Sequence, residues 1–411
     1  MWRLVFFPSV FICIAGFVIA NEKNDVYWMK IQAANKYERS AIADLGVAIE
    51  EVMDDYVIAY GNREELDTLK ERSQLLSYYL YDPYTKDFPA EDEAYHNYNE
   101  NNTLLSDLAA QNPSFVQLIS MGASFEQRMI PGLIISTNPN NDLSKPGILF
   151  LGTHHAREHL SNEMVLGLIE YLIDKYKAGD PQVTRLVQGR AIYLFPLVNP
   201  DGSEYDISTG HYKSWRKNRR PIPGSQYFGT DLNRNYSYQW GTGGSSSNPH
   251  SDTYKGEAPF SEPETRAVRD WVNTHNNITV LISFHTYSKL ILYPWGHKYD
   301  SISDQQDQMV HVTMAQRMSE WNQYKPEQTS DLYIASGDTT DWAYGEHRIF
   351  SFTFELDPSF GGGGFYPGGN IIPDVVEKNI QPCLFAADLA DNPYRVLTPT
   401  HEQYGLYWLK F

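Results

Sequence analysis

Short apolar runs alternate along most of this chain with segments whose apolar residues recur every three to four positions. GILFLGTHH (147–155) and residues 191–199, 278–285 and 351–357 are brief apolar stretches bounded by polar punctuation, which predicts buried strands. Residues 161–177, 261–275 and 372–390 carry the helical period. Ser261-Glu-Pro-Glu264 has the form of a capping box and predicts a helix start. This alternation implies an α/β domain, a mixed, largely parallel twisted sheet with helices on both faces. In such sheets ligands sit beyond the carboxyl ends of the strands, so chemistry is expected there.

The first ninety or so residues follow another pattern. Residues 26–36 read as a strand, 37–45 as a short helix, 47–53 and 56–60 as strands flanking the Asp54-Asp55 turn, 64–72 as a helix and 76–81 as a last strand. The order β-α-β-β-α-β predicts a small α+β, ferredoxin-like unit over 21–86. Residues 82–93, with Pro83, Pro89 and several acids, have linker composition. The larger domain is then expected over 87–394, followed by an aromatic tail, 395–411. Ahead of everything, Arg3 precedes an apolar run over 4–19, and Val18-x-Ala20 offers the small residues of a cleavage site. That reads as a signal peptide over 1–20, hence a secreted chain with no lasting membrane association, the run being short for a spanning helix of about 20 residues.

Composition narrows the picture further. With 411 residues, 42% of them hydrophobic, the chain is a folded protein large enough for a main domain and a smaller one. A formal charge of −18 disfavours the basic face that nucleic-acid binding needs. Removal of the signal leaves only Cys383, so no intrachain disulfide is expected, and its helical surroundings predict a buried, inert thiol. A monomer is expected.

Candidate chemistry gathers at strand ends. GILFLGTHH leads into H-A-R-E, in which His155 and Glu158, three residues apart at the start of a helical turn, face the same side. Alone, the pair fits solvated helix-start residues better than it fits metal ligands. A second strand ends in His285 and a third carries Glu355 at the same sheet edge. Two histidines and a glutamate leave one position of a tetrahedral zinc open for water, with Glu355 as a spare carboxylate. The bland alternative makes His285 a satisfied core histidine and Glu355 a buried ion-pair acid. Two arginine-bearing segments, W-R-K-N-R (215–219) and D-L-N-R-N (231–235), lie between the halves of this set and offer guanidinium groups for a carboxylate or a polarised carbonyl.

H-A-R-E, P-L-V-N-P-D-G (196–202), W-R-K-N-R, D-L-N-R-N, S-F-H-T-Y-S (283–288), Tyr293-Pro-Trp-Gly296 and S-F-T-F-E-L, in that order, resemble the zinc carboxypeptidase family of carboxypeptidases A and B. Within it the wording of 214–218, 229–236 and 341–344 is similar to the secreted bacterial carboxypeptidase T branch, and the likeness runs from about residue 87 to 394. The resemblance implies a zinc-dependent hydrolase that removes C-terminal residues from peptides or proteins with a free C-terminus. It implies zinc ligands His155, Glu158 and His285, Glu355 as general base, and Arg216 beside the oxyanion. Asn233 and Arg234 would hold the substrate's terminal carboxylate and Tyr333 would close over it, with Arg157 and Tyr287 in neighbouring subsites. Asp338 and Thr340 fall in the side-chain pocket and imply a mixed hydrophobic and basic preference, although Asp338 also fits a simple turn-forming role. His154 and His159 match no ligand position and are expected to support the site.

In an exported protease of this kind the N-terminal unit would be a pro-segment that inhibits its own enzyme. Calcium (Ca2+) is a weaker expectation: Glu100 survives from the branch's acidic ligands, whereas 138–145 lacks their acid cluster. Gly361, Gly362, Gly363 and Gly364 suggest a flexible rim, and the tail has no assigned role. Among rival functions, a serine hydrolase lacks a G-x-S-x-G motif. A silent binding module would be expected to lack a ligand or the base, and a cell-wall peptide amidase would differ only in substrate.

Overall fold

The computed structural model describes residues 26–43, 45, 47–52, 55–61, 63–81, 87–359 and 364–398. The predicted signal peptide, residues 82–86 of the predicted 82–93 linker, three of the four consecutive glycines and the tail beyond 398 lie outside the described residues. The chain divides into two compact units, Met1–Thr85 and Lys86–Phe411.

In the first unit β1 (Val26–Gln32), α1 (Lys36–Ala43), β2 (Ala48–Val52), β3 (Tyr56–Gly61), α2 (Arg63–Glu71) and β4 (Leu75–Tyr81) follow the predicted order. The strands pair antiparallel in the order β2-β3-β1-β4, the ferredoxin-like topology. Alternation along β1 puts Tyr27, Met29 and Ile31 inside, where they meet Val57, Ala59, Leu66 and Leu69.

The second unit opens with α3 (Tyr98–Gln111), β5 (Val116–Ala123), β6 (Met129–Ile135) and β7 (Gly147–Leu151). It continues through α4 (Leu160–Lys177), α5 (Pro181–Gly189), β8 (Ala191–Phe195), α6 (Pro200–Asp206), α7 (Pro263–Thr274), β9 (Ile278–Thr286) and β10 (Leu290–Tyr293). It closes with α8 (Gln305–Asn322), β11 (Lys325–Gln328), α9 (Thr339–His347), β12 (Phe350–Leu356) and α10 (Ile372–Leu389). These strands form one eight-stranded sheet, β11-β10-β12-β9-β7-β8-β6-β5. Its centre, β12-β9-β7-β8, is parallel, and antiparallel pairing enters at β10 and at β6 and β5.

Both faces of β7 are buried, which is why it reads as an unbroken apolar run. Ile148 and Phe150 point into a core shared with α4, α8 and α10, while Leu149 and Leu151 point into one shared with α7 and α9. Cys383 is buried in α10, where burial pushes its thiol up.

Three expectations need correction. β7 and β8 end at Leu151 and Phe195, before the polar residues that were read as their ends. No capping box starts α7: its N-cap is Glu262, without a side-chain bond, and Pro263 occupies the first turn. The residue before a proline is driven out of the helical region, so Ser261 sits one position too early to cap, and its Oγ donates instead to Glu262 Oε1 (2.7 Å). The larger domain also runs past residue 394, because Val396 and Leu397 pack against the main core.

Candidate active site

β7 leaves the sheet at Gly152, where an added Cβ would lie 2.3 Å from Pro196 O and 2.7 Å from Ser161 O. Only glycine fits this gap between the end of β8 and the first turn of α4. Thr153, at φ +54°, completes the change of direction, and His155 to Glu158 form a tight turn closed by the Glu158 N–H on His155 O (3.2 Å). The turn delivers both side chains to one side. Neighbouring β9 delivers His285, and the register places Glu355 of β12 directly opposite it, so both side chains leave the same face of the sheet.

His155 Nδ1 lies 2.8 Å from Glu158 Oε1, His285 Nδ1 lies 2.9 Å from Glu158 Oε2, and the two Nδ1 atoms are 3.1 Å apart. All three residues are buried, and their donor atoms converge within 4.8 Å of one another. Two imidazole nitrogens and one carboxylate oxygen aimed at a common point suit zinc and leave a fourth position open. Among the described residues no other group of three such side chains converges in this way. Glu100, the expected calcium ligand, spends its carboxylate on the Asn97 N–H (2.9 Å) in the capping box of α3.

Both candidate histidine ligands are oriented from behind. Asp231 Oδ1 meets His155 Nε2 at 3.1 Å, and Ser283 Oγ meets His285 Nε2 at 3.0 Å. Such outer partners fix ring orientation and leave the inner nitrogen for the metal. Asp231 stands in the D-L-N-R-N motif but was not singled out by sequence; its signal was an acid two residues before Asn233. His154 bridges Ser283 and Tyr236, at 3.2 and 2.8 Å, and His159 binds Asp206 at 2.9 Å, so both support the site as expected.

Electrostatics separates the acids. Burial alone would raise the Glu158 carboxyl, but His155 and His285 hold it below the usual carboxylate range. Glu355 behaves oppositely: burial, then the charge of Glu158, push it well above that range against the pull of Arg216 and Arg234. Burial would lower the Arg216 guanidinium, yet Asp231 and Glu158 raise it.

The three donors line a cleft of about 360 Å³ together with Glu355, Arg216, Asn233, Arg234, Tyr287, Tyr333, Asp338 and Thr340. The Asn233 amide oxygen accepts from Thr339 N (2.9 Å) and Oγ1 (2.8 Å), and Arg234 donates to Gly244 O (3.1 Å) and Asn233 O (2.7 Å), so both side chains are held before any ligand arrives. Tyr333 stands exposed on the rim. Asp338 plays two parts. Its Oδ1 caps α9 by accepting from Thr340 N (3.0 Å) and Asp341 N (2.9 Å), while Oδ2 is buried with no hydrogen-bond partner among the described residues. Burial, then Asp341, push its carboxyl up to about 7.

Arg157 stands behind the residues that line the cleft. It donates to Ser214 O (3.0 Å) and Asp252 Oδ2 (3.2 Å) and lies 4.2 Å from the centre of the Phe365 ring. Phe365, which sequence reasoning missed among the glycines, lines the cleft and packs edge-on to Tyr287, with ring centres 5.1 Å apart. Arg157 therefore backs the cleft wall through Phe365.

A family model described as zinc carboxypeptidase matches residues 102–381. A zinc carboxypeptidase of Saccharothrix mutabilis subsp. capreolus is 41% identical over 303 residues, spanning 72% of this chain and 69% of that protein. Carboxypeptidase A2 of Rattus norvegicus is 30% identical over 373 residues, spanning 90% and 84%. The crystal structure of carboxypeptidase A from Helicoverpa armigera matches with a TM-score of 0.65 at 25% identity, over 89% of this chain and 97% of that one. With a two-histidine, one-glutamate donor set at the carboxyl edge of this sheet and most of its length matched, the chain belongs to the zinc carboxypeptidase family of metallohydrolases.

Proposed function

We propose that this chain is a secreted carboxypeptidase, made as a zymogen, that removes single residues from free C-termini with a mixed preference for hydrophobic and basic ends. The observation that carries this reading is that His155, Glu158 and His285 share one cleft with Glu355 and the preset guanidinium of Arg234. Zinc held by the three donors would polarise the scissile carbonyl and lower the pKa of a water to about 7.

The chain's own residues do the rest. Glu355, as a carboxylate, takes the water's proton, holds it in a setting that favours the protonated form, and passes it to the leaving amine. Arg216, held by Asp231 through Nε (3.0 Å) and Nη2 (2.9 Å), faces the negative charge that develops on the carbonyl oxygen. A preorganised donor of this kind is worth about 3 kcal/mol of barrier. Asn233 and Arg234 bind the terminal carboxylate, Tyr333 closes over it, and Asp338 and Thr340 receive the side chain. Tyr287 carries the residues upstream.

The zymogen reading draws support from the compact N-terminal unit and from the rat carboxypeptidase A2 match, whose 90% span exceeds what the second unit alone supplies. The test compares peptides with free and amidated C-termini, using the chain with and without its first 86 residues. Cleavage is expected only at free ends and only after truncation; equal rates on amidated peptides would make it an endopeptidase.

A further inference from the structure

A groove of about 1070 Å³, larger than the active-site cleft and sharing no lining residue with it, opens where α4, α8 and α10 meet. Its floor is apolar, built from Leu166 of α4, Trp321 of α8 and Val376 and Ile380 of α10. The walls α4 and α10 are already in close contact at Gly167, where an added Cβ would lie 2.6 Å from Val376 Cγ1, so the groove cannot close by moving one helix toward the other. Of the four acids on its walls, Glu163 is engaged by His96 through Oε1 (2.9 Å) and Oε2 (2.8 Å) and Glu320 by Arg317 (3.1 Å), whereas Glu170 and Glu377 form no ion pair among the described residues. Small-molecule sites take about 300–1,000 Å³, so a groove of this size suits several side chains of a peptide. Its chemistry selects a segment that is aromatic and positively charged.

The chain itself carries such a segment. Tyr404-Gly-Leu-Tyr-Trp-Leu-Lys-Phe411 is apolar or aromatic at six of its positions, and Lys410 is its single charged side chain. It lies outside the described residues, and the catalytic reading makes no use of it. Its root stands within reach of the groove. Tyr394 donates its hydroxyl to Asp307 Oδ1 (2.6 Å) near the start of α8, and Val396 and Leu397 pack on the main core. Trp321 is about 21 Å further along α8. The ten residues from Tyr394 to Tyr404 can span about 33 Å, so the aromatic segment can lie over the groove without disturbing the helices.

We propose that residues 404–411 bind in the groove of their own chain, with the aromatic side chains on the floor around Trp321 and Lys410 beside Glu170 and Glu377. The segment then bridges α4, α8 and α10. Because α4 begins two residues after Glu158, the docked segment supports from outside the helix that follows the metal-site turn. The inference goes beyond the carboxypeptidase reading and does not depend on it.

The test follows amide hydrogen exchange over α4 and α10 in the full chain, wild type against a Trp408→Ser, Leu409→Ser variant whose substitutions lie outside both cores. Exchange at the groove positions of both helices is expected to be about tenfold faster in the variant, and a synthetic peptide of residues 404–411 added at millimolar concentration is expected to restore protection. Glu170→Lys with Glu377→Lys should speed exchange as well and, combined with the tail substitutions, should abolish rescue by the peptide. Exchange unchanged in the tail variant, rescue that persists in the combined variant, or equal rescue by a scrambled peptide of the same composition would overturn the proposal. A wild-type dimer in sedimentation that becomes monomeric in the tail variant would place the segment on a second copy and overturn binding within one chain.

Discussion

Asp231 Oδ1 lies 3.1 Å from His155 Nε2, and the other oxygen of that carboxylate bonds the Arg216 guanidinium. One buried acid therefore orients a proposed zinc ligand and the proposed oxyanion donor together. Burial alone would raise its carboxyl, but Arg216 and His155 hold it well below the usual range, so it stays charged. Asp231→Asn keeps the shape and removes the charge. It is expected to weaken zinc binding about tenfold or more in a chelator competition and to lower kcat in the zinc-replete enzyme.

Glu355 faces the cleft from the register position opposite His285 without belonging to the donor set. Glu355→Gln should bind a full equivalent of zinc and lose turnover by about a thousandfold or more, the scale of a positioned proton carrier. Zinc analysis alongside single-turnover kinetics checks this. Substantial activity in the metal-replete variant would remove Glu355 from the role of base.

The parts most legible in sequence were those in which one local pattern had one physical meaning. Apolar runs buried on both faces marked β7, β8, β9 and β12, and the N-terminal β-α-β-β-α-β order predicted the topology of its sheet. Strands β5, β6, β10 and β11, at and next to the sheet's edges, escaped notice: β5 is part-exposed, β10 and β11 are only four residues long, and Pro131 and Gly132 interrupt the apolar run of β6. At the site, the ligands and arginines stood in contiguous motifs. Phe365 and Asp206 did not, since their roles depend on loops meeting across more than a hundred residues of sequence, as in the Tyr366 to Asp206 bond. The surroundings of Arg157 were hidden for a related reason: motif position put it next to Glu158, but its partners Ser214, Asp252 and Phe365 come from distant segments.

The Asp338 carboxyl sits at about 7, far above the 3.8 of a free aspartate, because it is buried and faces Asp341. Its folded pKa is raised, so the group is neutral below pH 7 and charged above it. Cleavage of Lys and Arg ends relative to Phe ends should rise about fivefold from pH 6 to pH 8, as a charge-assisted bond forms in the pocket. Asp338→Asn, which retains the capping oxygen, should flatten that ratio at the low-pH level. A profile that keeps its slope in the variant would rule Asp338 out.

Gly152 permits the turn that brings His155 and Glu158 to the sheet edge. Gly152→Ala drives a methyl group against two backbone oxygens. It should destabilise the second unit by about 3 kcal/mol, measured by urea unfolding, and lower zinc affinity in proportion to the displacement of the turn. An alanine variant of wild-type stability would mean that the backbone relaxes there freely.

Zinc stoichiometry of the purified chain and of its His285→Ala variant, determined by X-ray absorption and elemental analysis, bears most directly on the site. The account predicts one zinc per wild-type chain, bound by two imidazole nitrogens and carboxylate oxygen, and its loss from the variant. A variant that keeps a full equivalent of zinc in an unchanged ligand environment would contradict it.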